Sequence, residues 1–146
     1  MEKYLQPGDK VIDVGCGTGI LSVLAAKLDA ENIKAVDLDP EAVRSTENNI
    51  RVNHCEGKVD VYLGDLLTDY DFTADAVVAN LTAEIQIRLL DAGLTEHCCG
   101  RGLFIASGII DIKEKEALAA IEAKGFEILE ILRDGYWTAV AARLKG

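Results

Sequence analysis

The chain has 146 residues, of which 49% are hydrophobic and 27% are charged, a composition typical of one globular domain with a buried core. No apolar run approaches the roughly 20 residues of a membrane-spanning helix, and the polar N-terminus MEKYLQPGDK lacks the apolar core of a signal peptide. We therefore expect a cytoplasmic protein that does not enter a membrane. The net charge of −10, with 15 scattered Lys and Arg, disfavours direct nucleic-acid binding. It favours a cationic ligand or a basic partner, although an acidic surface that only aids solubility is the alternative.

Cysteine and histidine usage indicates neither a disulfide framework nor a metal site. The chain contains no CxxC pair, and its two adjacent cysteines are poor candidates for bridging each other. We expect no bound metal, free thiols and surface imidazoles at these six positions: Cys16, Cys55, Cys98, Cys99, His54 and His97.

Apolar runs with strand character alternate with helical patterns along most of the chain. The predicted strands are residues 10–14, 32–36, 58–63, 74–79 and 102–107, followed by 126–132 and 136–142. A first helix is predicted over 20–28, with its apolar face at Leu21, Leu24, Ala25 and Leu28.

Capping residues predict where the other helices begin. Asp39 before Pro40 predicts an N-cap, and the helix that follows places Val43, Thr46 and Ile50 on one side. Thr82 predicts the cap of the next helix, which carries Ile85, Leu89 and Leu90. Asp111 and Glu114 resemble a capping box, which predicts a last helix that ends near Gly125.

The end of the chain departs from this alternation. A turn at Asp134 and Gly135 separates the last two strands, which predicts an antiparallel hairpin. The pattern is five βα units and then this hairpin. It predicts one α/β domain over residues 1–146, with a doubly wound, mostly parallel seven-stranded sheet and one antiparallel strand. Two positions are open for Tyr4, Tyr136 and Trp137, the core or a surface that contacts a partner, and the core is the default expectation.

The first strand runs into a Gly-rich loop, DVGCGTG, at residues 13–19. In an open α/β sheet this loop lies beyond the carboxyl ends of the strands, where ligands bind. A nicotinamide-binding loop needs a third glycine at the position of Ile20, but here that glycine falls one residue early, at Gly19. A phosphate-binding P-loop is excluded more firmly, because no Gly-Lys-Ser/Thr follows.

The loop resembles that of class I methyltransferases, in which GxGxG follows an acid, here Asp13. This resemblance implies that Asp13, Gly15, Gly17 and Gly19 contribute to a site for S-adenosylmethionine. That cofactor carries a sulfonium cation and no phosphate, so a lysine is unnecessary and a nearby carboxylate is tolerated.

Two further acids follow the next two strands. Asp37 ends the second strand, 18 residues after Gly19, where its carboxylate can accept hydrogen bonds from both ribose hydroxyls. Asp65 follows the third strand, and the resemblance implies a contact with the adenine amino group. A solvated strand end at Asp37 and an ordinary turn at Gly64-Asp65 are the alternatives.

Asn80 leaves the apolar fourth strand directly over the predicted crevice. Its side chain or a nearby carbonyl can accept a hydrogen bond from a target amine and direct the amine's lone pair at the methyl group. The alternative is a capping role, which Thr82 already fills. Asn80 is thus the predicted catalytic residue.

Three segments together resemble the ribosomal protein methyltransferase family, whose members methylate the eleventh protein of the large ribosomal subunit. They are the run DVGCGTGILSVLAAKLDAENIKAVDLDPEAV, then VVANLTA, then SGI at 107–109, in order over nearly the whole chain. The resemblance implies cofactor contacts by Gly15, Asp37 and Asn80, and a basic ribosomal protein as substrate. The family's N-terminal recognition domain and an upstream threonine segment are absent from this sequence. We therefore expect little turnover by residues 1–146 alone.

Other functions stay open at this point. A class I methyltransferase acting on RNA or a small molecule is one. RNA is disfavoured by the acidic charge, and a small molecule by the lack of a lid segment. A nicotinamide oxidoreductase is another, disfavoured by Ile20. A cofactor-binding module without turnover is the non-enzymatic alternative.

Overall fold

The computed structural model describes all residues, Met1–Gly146, and contains seven strands and four α-helices. In chain order the elements are β1 (Lys10–Val14), α1 (Ile20–Lys27), β2 (Glu31–Asp37), α2 (Pro40–Val52), β3 (Val59–Leu63), β4 (Ala74–Asn80), α3 (Ala83–Asp91), β5 (Cys98–Ile110), α4 (Glu114–Ala123), β6 (Phe126–Asp134) and β7 (Trp137–Leu144). Short 3₁₀ helices at Leu94–His97 and Asp111–Lys113 precede β5 and α4. None of the helices is long and apolar enough to cross a membrane.

The strands form one sheet in the order β3-β2-β1-β4-β5-β7-β6. All neighbours are parallel except β7, which is antiparallel to both β5 and β6. The predicted fold class and the single antiparallel strand are therefore confirmed. The order reverses between β1 and β4, so the carboxyl ends of these two strands open a crevice at the centre of the sheet.

Alternation along β1 divides the core between the two faces of the sheet. Ile12 and Val14 join the cluster that packs against α3 and α4, whereas Val11 joins the cluster that packs against α1 and α2. Helices thus cover both faces of the central strands, which is why these strands are almost wholly apolar.

The prediction of five βα units is wrong at one place, because no helix lies between β3 and β4. An aromatic cluster closes that connection instead. Tyr70 stacks on Phe72 with ring centroids 4.9 Å apart, and Phe72 lies 4.8 Å from Tyr62 of β3. The three half-buried rings pack on one another where the pattern predicts a helix, and Leu66 and Leu67 of the same connection are buried in the core.

The caps at Asp39 and Thr82 are confirmed, but the capping box is not. Asp39 Oδ1 accepts a hydrogen bond from Glu41 N at 2.9 Å, and Thr82 Oγ1 accepts one from Ile85 N at 3.5 Å. Asp111 begins a 3₁₀ turn rather than α4.

Glu114 bonds β6 and β7 instead of the backbone of its own helix. Its carboxylate accepts hydrogen bonds from Arg133 Nε at 2.9 Å and from Thr138 Oγ1 at 2.7 Å. A charged partner on β6 outcompetes the local backbone group.

The apolar face of α1 is also shifted from the prediction. The buried residues are Ser22, Ala25 and Ala26, whereas Leu21 and Leu24 are half-buried and line an open groove. Small side chains let this helix approach the sheet closely.

The turn of the C-terminal hairpin lies one residue later than predicted. Asp134 pairs with Trp137, so the turn is Gly135 and Tyr136. Gly135 alone has a positive φ, +58°, as in a type II′ turn.

All four cysteines are free, as predicted, and two of them are deeply buried. Burial raises the pKa of the Cys16 thiol to about 11, which makes it a packing group rather than a nucleophile. The expectation of surface imidazoles holds for His54 but is wrong for His97. His97 is buried, with Nδ1 2.7 Å from the carbonyl oxygen of Phe72.

Candidate functional site

The Gly-rich loop joins β1 to α1 at the point where the strand order reverses. Gly15 has a φ of +70°, and a Cβ built on it would lie 2.5 Å from Leu81 Cδ2. Gly17 N donates a hydrogen bond to Asp37 Oδ2 at 2.9 Å. Positive φ and the close approach of Leu81 both require glycine at position 15, and they bring the backbone of the loop to the edge of the crevice.

Side chains of α2 hold this loop from the other side. Thr46 Oγ1 donates to the carbonyl oxygen of Gly17 at 2.9 Å, and Asn49 Nδ2 donates to that of Thr18 at 2.7 Å. A Cβ built on Gly19 would lie 2.8 Å from Thr46 Cγ2. Glycine at position 19 is thus required both by its positive φ, +83°, and by packing against α2.

Asp13 lies beneath the loop and not in the crevice. Its side chain is 1% exposed, and Oδ2 accepts a hydrogen bond from Ser22 Oγ at 2.7 Å. Burial raises the pKa of Asp13 to about 6, and the charge of Asp37 acts in the same direction, whereas hydrogen bonds from Ser22 oppose the rise. This position argues against the prediction that Asp13 contacts a cofactor, because its carboxylate has no open side.

Asp37 stands at the edge of a cavity of about 170 Å³ next to the loop. Its Oδ2 binds Gly17 N and its Oδ1 accepts from Asp39 N at 2.9 Å, so the carboxylate is fixed but keeps lone pairs for further donors. Asp65 lines the same cavity and pairs with Arg88 at 3.0 Å. The structure thus brings Gly15, Asp37 and Asp65 together, as the sequence predicts.

Sequence patterns do not indicate the apolar walls of this cavity. They are formed by Val36, Leu38, Leu66, Leu81 and Ile85. Leu38 is 63% exposed and lies between Asp37 and Asp39. An apolar residue between two aspartates is the one sequence signal that could have indicated a wall of the cavity. The others come from separate elements, and only the fold brings them together.

A second, open cavity of about 600 Å³ adjoins the first and shares Leu81 as a wall. Its lining includes Asn80 at the end of β4, Thr82 after it, Ser107 and Gly108 of β5, and Trp137 of β7. The side chain of Asn80 is exposed and makes no hydrogen bond within the chain. A Cβ on Gly108 would lie 2.6 Å from Asn80 Oδ1, so glycine at that position leaves room for the carboxamide.

The hairpin places one aromatic side chain, that of Trp137, beside this cavity. Tyr136 is 73% exposed and Trp137 is 57% exposed, so the expectation that they lie in the core is wrong. Ile112, in the 3₁₀ turn before α4, is exposed as well. Tyr4 is half-buried, and its hydroxyl donates to Glu130 Oε1 at 2.6 Å. An exposed aromatic ring at the rim of an open cavity is typical of a binding surface.

The model of one protein family, described as ribosomal protein L11 methyltransferase (PrmA), matches residues 1–145. A ribosomal protein L11 methyltransferase of Bacillus cereus (strain B4264) is 48% identical over 143 residues, which cover 98% of this chain and 46% of the relative. The chain therefore spans about half the length of this curated relative.

Solved structures agree with this match. A ribosomal protein L11 methylase from Lactobacillus delbrueckii subsp. bulgaricus superimposes with a TM-score of 0.93 and 32% identity, covering 99% of this chain and 74% of that one. An M. jannaschii tRNA m1G37 methyltransferase gives a TM-score of 0.83 and 26% identity, covering 99% and 47%. The chain belongs to the ribosomal protein L11 methyltransferase family.

Proposed function

We propose that the domain binds S-adenosylmethionine across the two adjoining cavities and transfers its methyl group to an amine of a ribosomal protein, either a lysine side chain or an α-amine. The observation that carries the proposal is the position of Asn80. Its free carboxamide stands beside Leu81, the wall that the two cavities share. A hydrogen-bond acceptor at this position lies between the cavity that Asp37 lines and open solvent.

The residues of the first cavity fit an adenosine group. The carboxylate of Asp37 provides acceptors for two hydroxyls, and Leu38, Leu66 and Ile85 provide apolar walls for a purine ring. The cavity has one cation, Arg88, and that cation is paired with Asp65. A ligand with ribose and base but no phosphate matches this lining better than a dinucleotide does.

The target ammonium first loses a proton to water, which leaves a neutral amine with a free lone pair. When bound, S-adenosylmethionine would supply a methyl group on a sulfonium sulfur, and the C–S bond would break as the C–N bond to this amine forms. Asn80 Oδ1 accepts a hydrogen bond from that amine and turns its lone pair toward the methyl group. Gly108 leaves the space that this orientation needs. Catalysis comes from alignment, which can contribute roughly 7–11 kcal/mol at best, and the product ammonium loses its proton to water.

Charge and shape favour a basic protein as the substrate. The formal net charge of −10 attracts a cationic chain and repels nucleic acid. Trp137 offers a flat aromatic wall to the alkyl stem and the ammonium group of a lysine. A ribosomal substrate also implies that the enzyme works in the cytoplasm.

Calorimetry with S-adenosylmethionine tests the cofactor site. The wild-type chain should bind, and Gly15→Arg should not, because its side chain would fill the crevice beside Leu81. Gly57→Arg is the matched control, since a Cβ at Gly57 meets nothing within 4 Å and its φ is not positive. Circular dichroism must show that Gly15→Arg is folded. No binding by the wild type, or equal binding by Gly15→Arg, contradicts the proposal.

A methyl-transfer screen tests the substrate class. Enzyme in excess over substrate and radiolabelled cofactor make slow turnover measurable. We expect label on the L11 protein and none on transfer RNA or on small amines. The tRNA methyltransferase among the structural relatives makes RNA the second candidate, so label on RNA alone would replace the proposed substrate. Tight cofactor binding with no transfer to any substrate would favour a non-catalytic module.

A further inference from the structure

One polar side chain of α3 is buried under the site and takes no part in the proposed contacts. Gln86 is 1% exposed, on a helix whose other buried residues are Ala83, Leu89 and Leu90. A glutamine is costly in such an apolar place unless its amide has partners. The hydrogen bonds of Gln86 therefore indicate what it does.

The amide nitrogen of Gln86 binds the backbone on both sides of Asn80. Gln86 Nε2 donates to the carbonyl oxygens of Ala79 at 2.9 Å and Leu81 at 3.3 Å, the residues before and after Asn80. It also donates to the carbonyl oxygen of Ser107 at 3.1 Å, on the neighbouring strand β5. Leu81 N donates to the same Ser107 oxygen at 3.0 Å. One side chain thus joins the end of β4, on both sides of Asn80, to Ser107 within β5.

The other end of the Gln86 amide has no partner. Gln86 Oε1 is the one buried side-chain nitrogen or oxygen atom without a hydrogen bond. A buried orphan acceptor destabilises the fold, and Met at this position would fill similar space without it. The role of the amide therefore lies in its nitrogen, which binds the backbone on both sides of Asn80 at the end of β4.

We propose that Gln86 is a positioning residue for methyl transfer, because it fixes the backbone from which Asn80 directs the target amine. This inference rests on the proposed role of Asn80. Gln86 touches neither cofactor nor substrate. It acts through the carbonyl groups of Ala79 and Leu81, and Gly108 lies against Asn80 from the other side.

Two methionine variants separate positioning from packing. Gln86→Met keeps the side-chain length and removes the donor, whereas Leu89→Met places the same residue at a second buried position of α3, away from Asn80. In ¹⁵N-labelled protein, the side-chain amide signals of Asn80 are identified by their loss in Asn80→Ala. We expect these signals to shift or broaden in Gln86→Met and to stay in place in Leu89→Met.

Rates give a second readout. Gln86→Met should lower the single-turnover methyl-transfer rate by about 10- to 100-fold, the effect of misplacing a reacting group by about 1 Å, with unchanged affinity for S-adenosylhomocysteine. Gln86→Glu covers the case in which Gln86→Met does not fold. Its neutral carboxyl can donate one hydrogen bond but its carboxylate cannot. Its rate relative to the wild type at the same pH should therefore increase as the pH is lowered.

The inference is overturned if the Asn80 signals or the transfer rate of folded Gln86→Met match those of the wild type. A relative rate of Gln86→Glu that is independent of pH overturns it as well. If the wild-type protein transfers no methyl group to any substrate, the proposed function fails, yet the Asn80 signals still decide whether Gln86 positions that residue.

Discussion

Replacement of Asp13 by Asn should change how the stability of the fold depends on pH. The carboxyl is buried, and burial raises its pKa from the ordinary value of 3.8 to about 6. Between these values the native state binds a proton that the unfolded state has lost. The wild-type protein therefore loses stability as the pH rises from about 4 to about 6, and the full penalty is present above about 6.

A shift of about two units corresponds to about 3 kcal/mol, at 1.36 kcal/mol per unit. The Asn variant cannot ionise, so the free energy of unfolding of Asp13→Asn minus that of the wild type should increase by about 2 kcal/mol between pH 4 and pH 7, because part of the penalty is already present at pH 4, where the unfolded carboxyl is half ionised. Any constant cost of the new amide nitrogen cancels from this slope. The hydrogen bond from Ser22 remains, because an Asn oxygen accepts it equally well.

Urea unfolding at several pH values, followed by circular dichroism, measures the difference. Asp69→Asn is the matched control, since Asp69 is exposed in the connection between β3 and β4 and makes no side-chain hydrogen bond. We expect its difference from the wild type to be flat over the same range. A flat difference for Asp13→Asn would refute the reasoning that burial governs this carboxyl.

Four further substitutions test the site. Asn80→Ala should lower the methyl-transfer rate by about 100-fold in single-turnover assays while calorimetry shows retained cofactor affinity; equal rates would contradict its role. Trp137→Ala should raise the KM for the protein substrate by about tenfold without changing cofactor binding. Leu38→Ala should weaken cofactor binding by about tenfold in calorimetry, because part of its contribution of about 1.5–3 kcal/mol is lost, and its exposure keeps the fold intact. Thr46→Val should destabilise the domain by about 1–2 kcal/mol in urea unfolding, since the carbonyl of Gly17 loses its donor.

Local patterns were sufficient to predict most of the fold. Alternating apolar runs and helix caps depend on neighbouring residues, which is why the seven strands and the caps at Asp39 and Thr82 agree with the structure. Glu114 shows where this reasoning fails. Its sequence neighbours suggest a capping box, but Arg133 of β6 is a stronger partner, and only the tertiary fold brings it near.

The candidate site was predictable where a strand end carries the polar residue. Asp37 and Asn80 end parallel strands, Gly15 and Asp65 follow them, and parallel strands end at one edge of the sheet. Burial was not predictable in the same way. Asp13 occupies the same motif as Gly15, yet its carboxylate is buried against α1, where Ser22 Oγ binds it, and only the packing of α1 on the sheet creates that contact.

Expectations based on hydrophobicity fail in opposite directions at two residues: the polar Gln86 is buried and the apolar Trp137 is exposed. Gln86 lies among apolar residues of α3 and is buried because backbone carbonyls from β4 and β5 converge on it. Trp137 is a large apolar residue that a core-based expectation buries, but the hairpin turn carries it to the rim of a cavity. Neither outcome follows from hydrophobicity, since both depend on contacts between distant segments.

A crystal structure with bound S-adenosylhomocysteine would test the proposed site most directly. We expect the ribose hydroxyls to bond Asp37, the base to lie between Leu38 and Leu66, and the sulfur to face Asn80. A ligand bound elsewhere, or one whose sulfur points away from Asn80, would contradict the proposed site and mechanism.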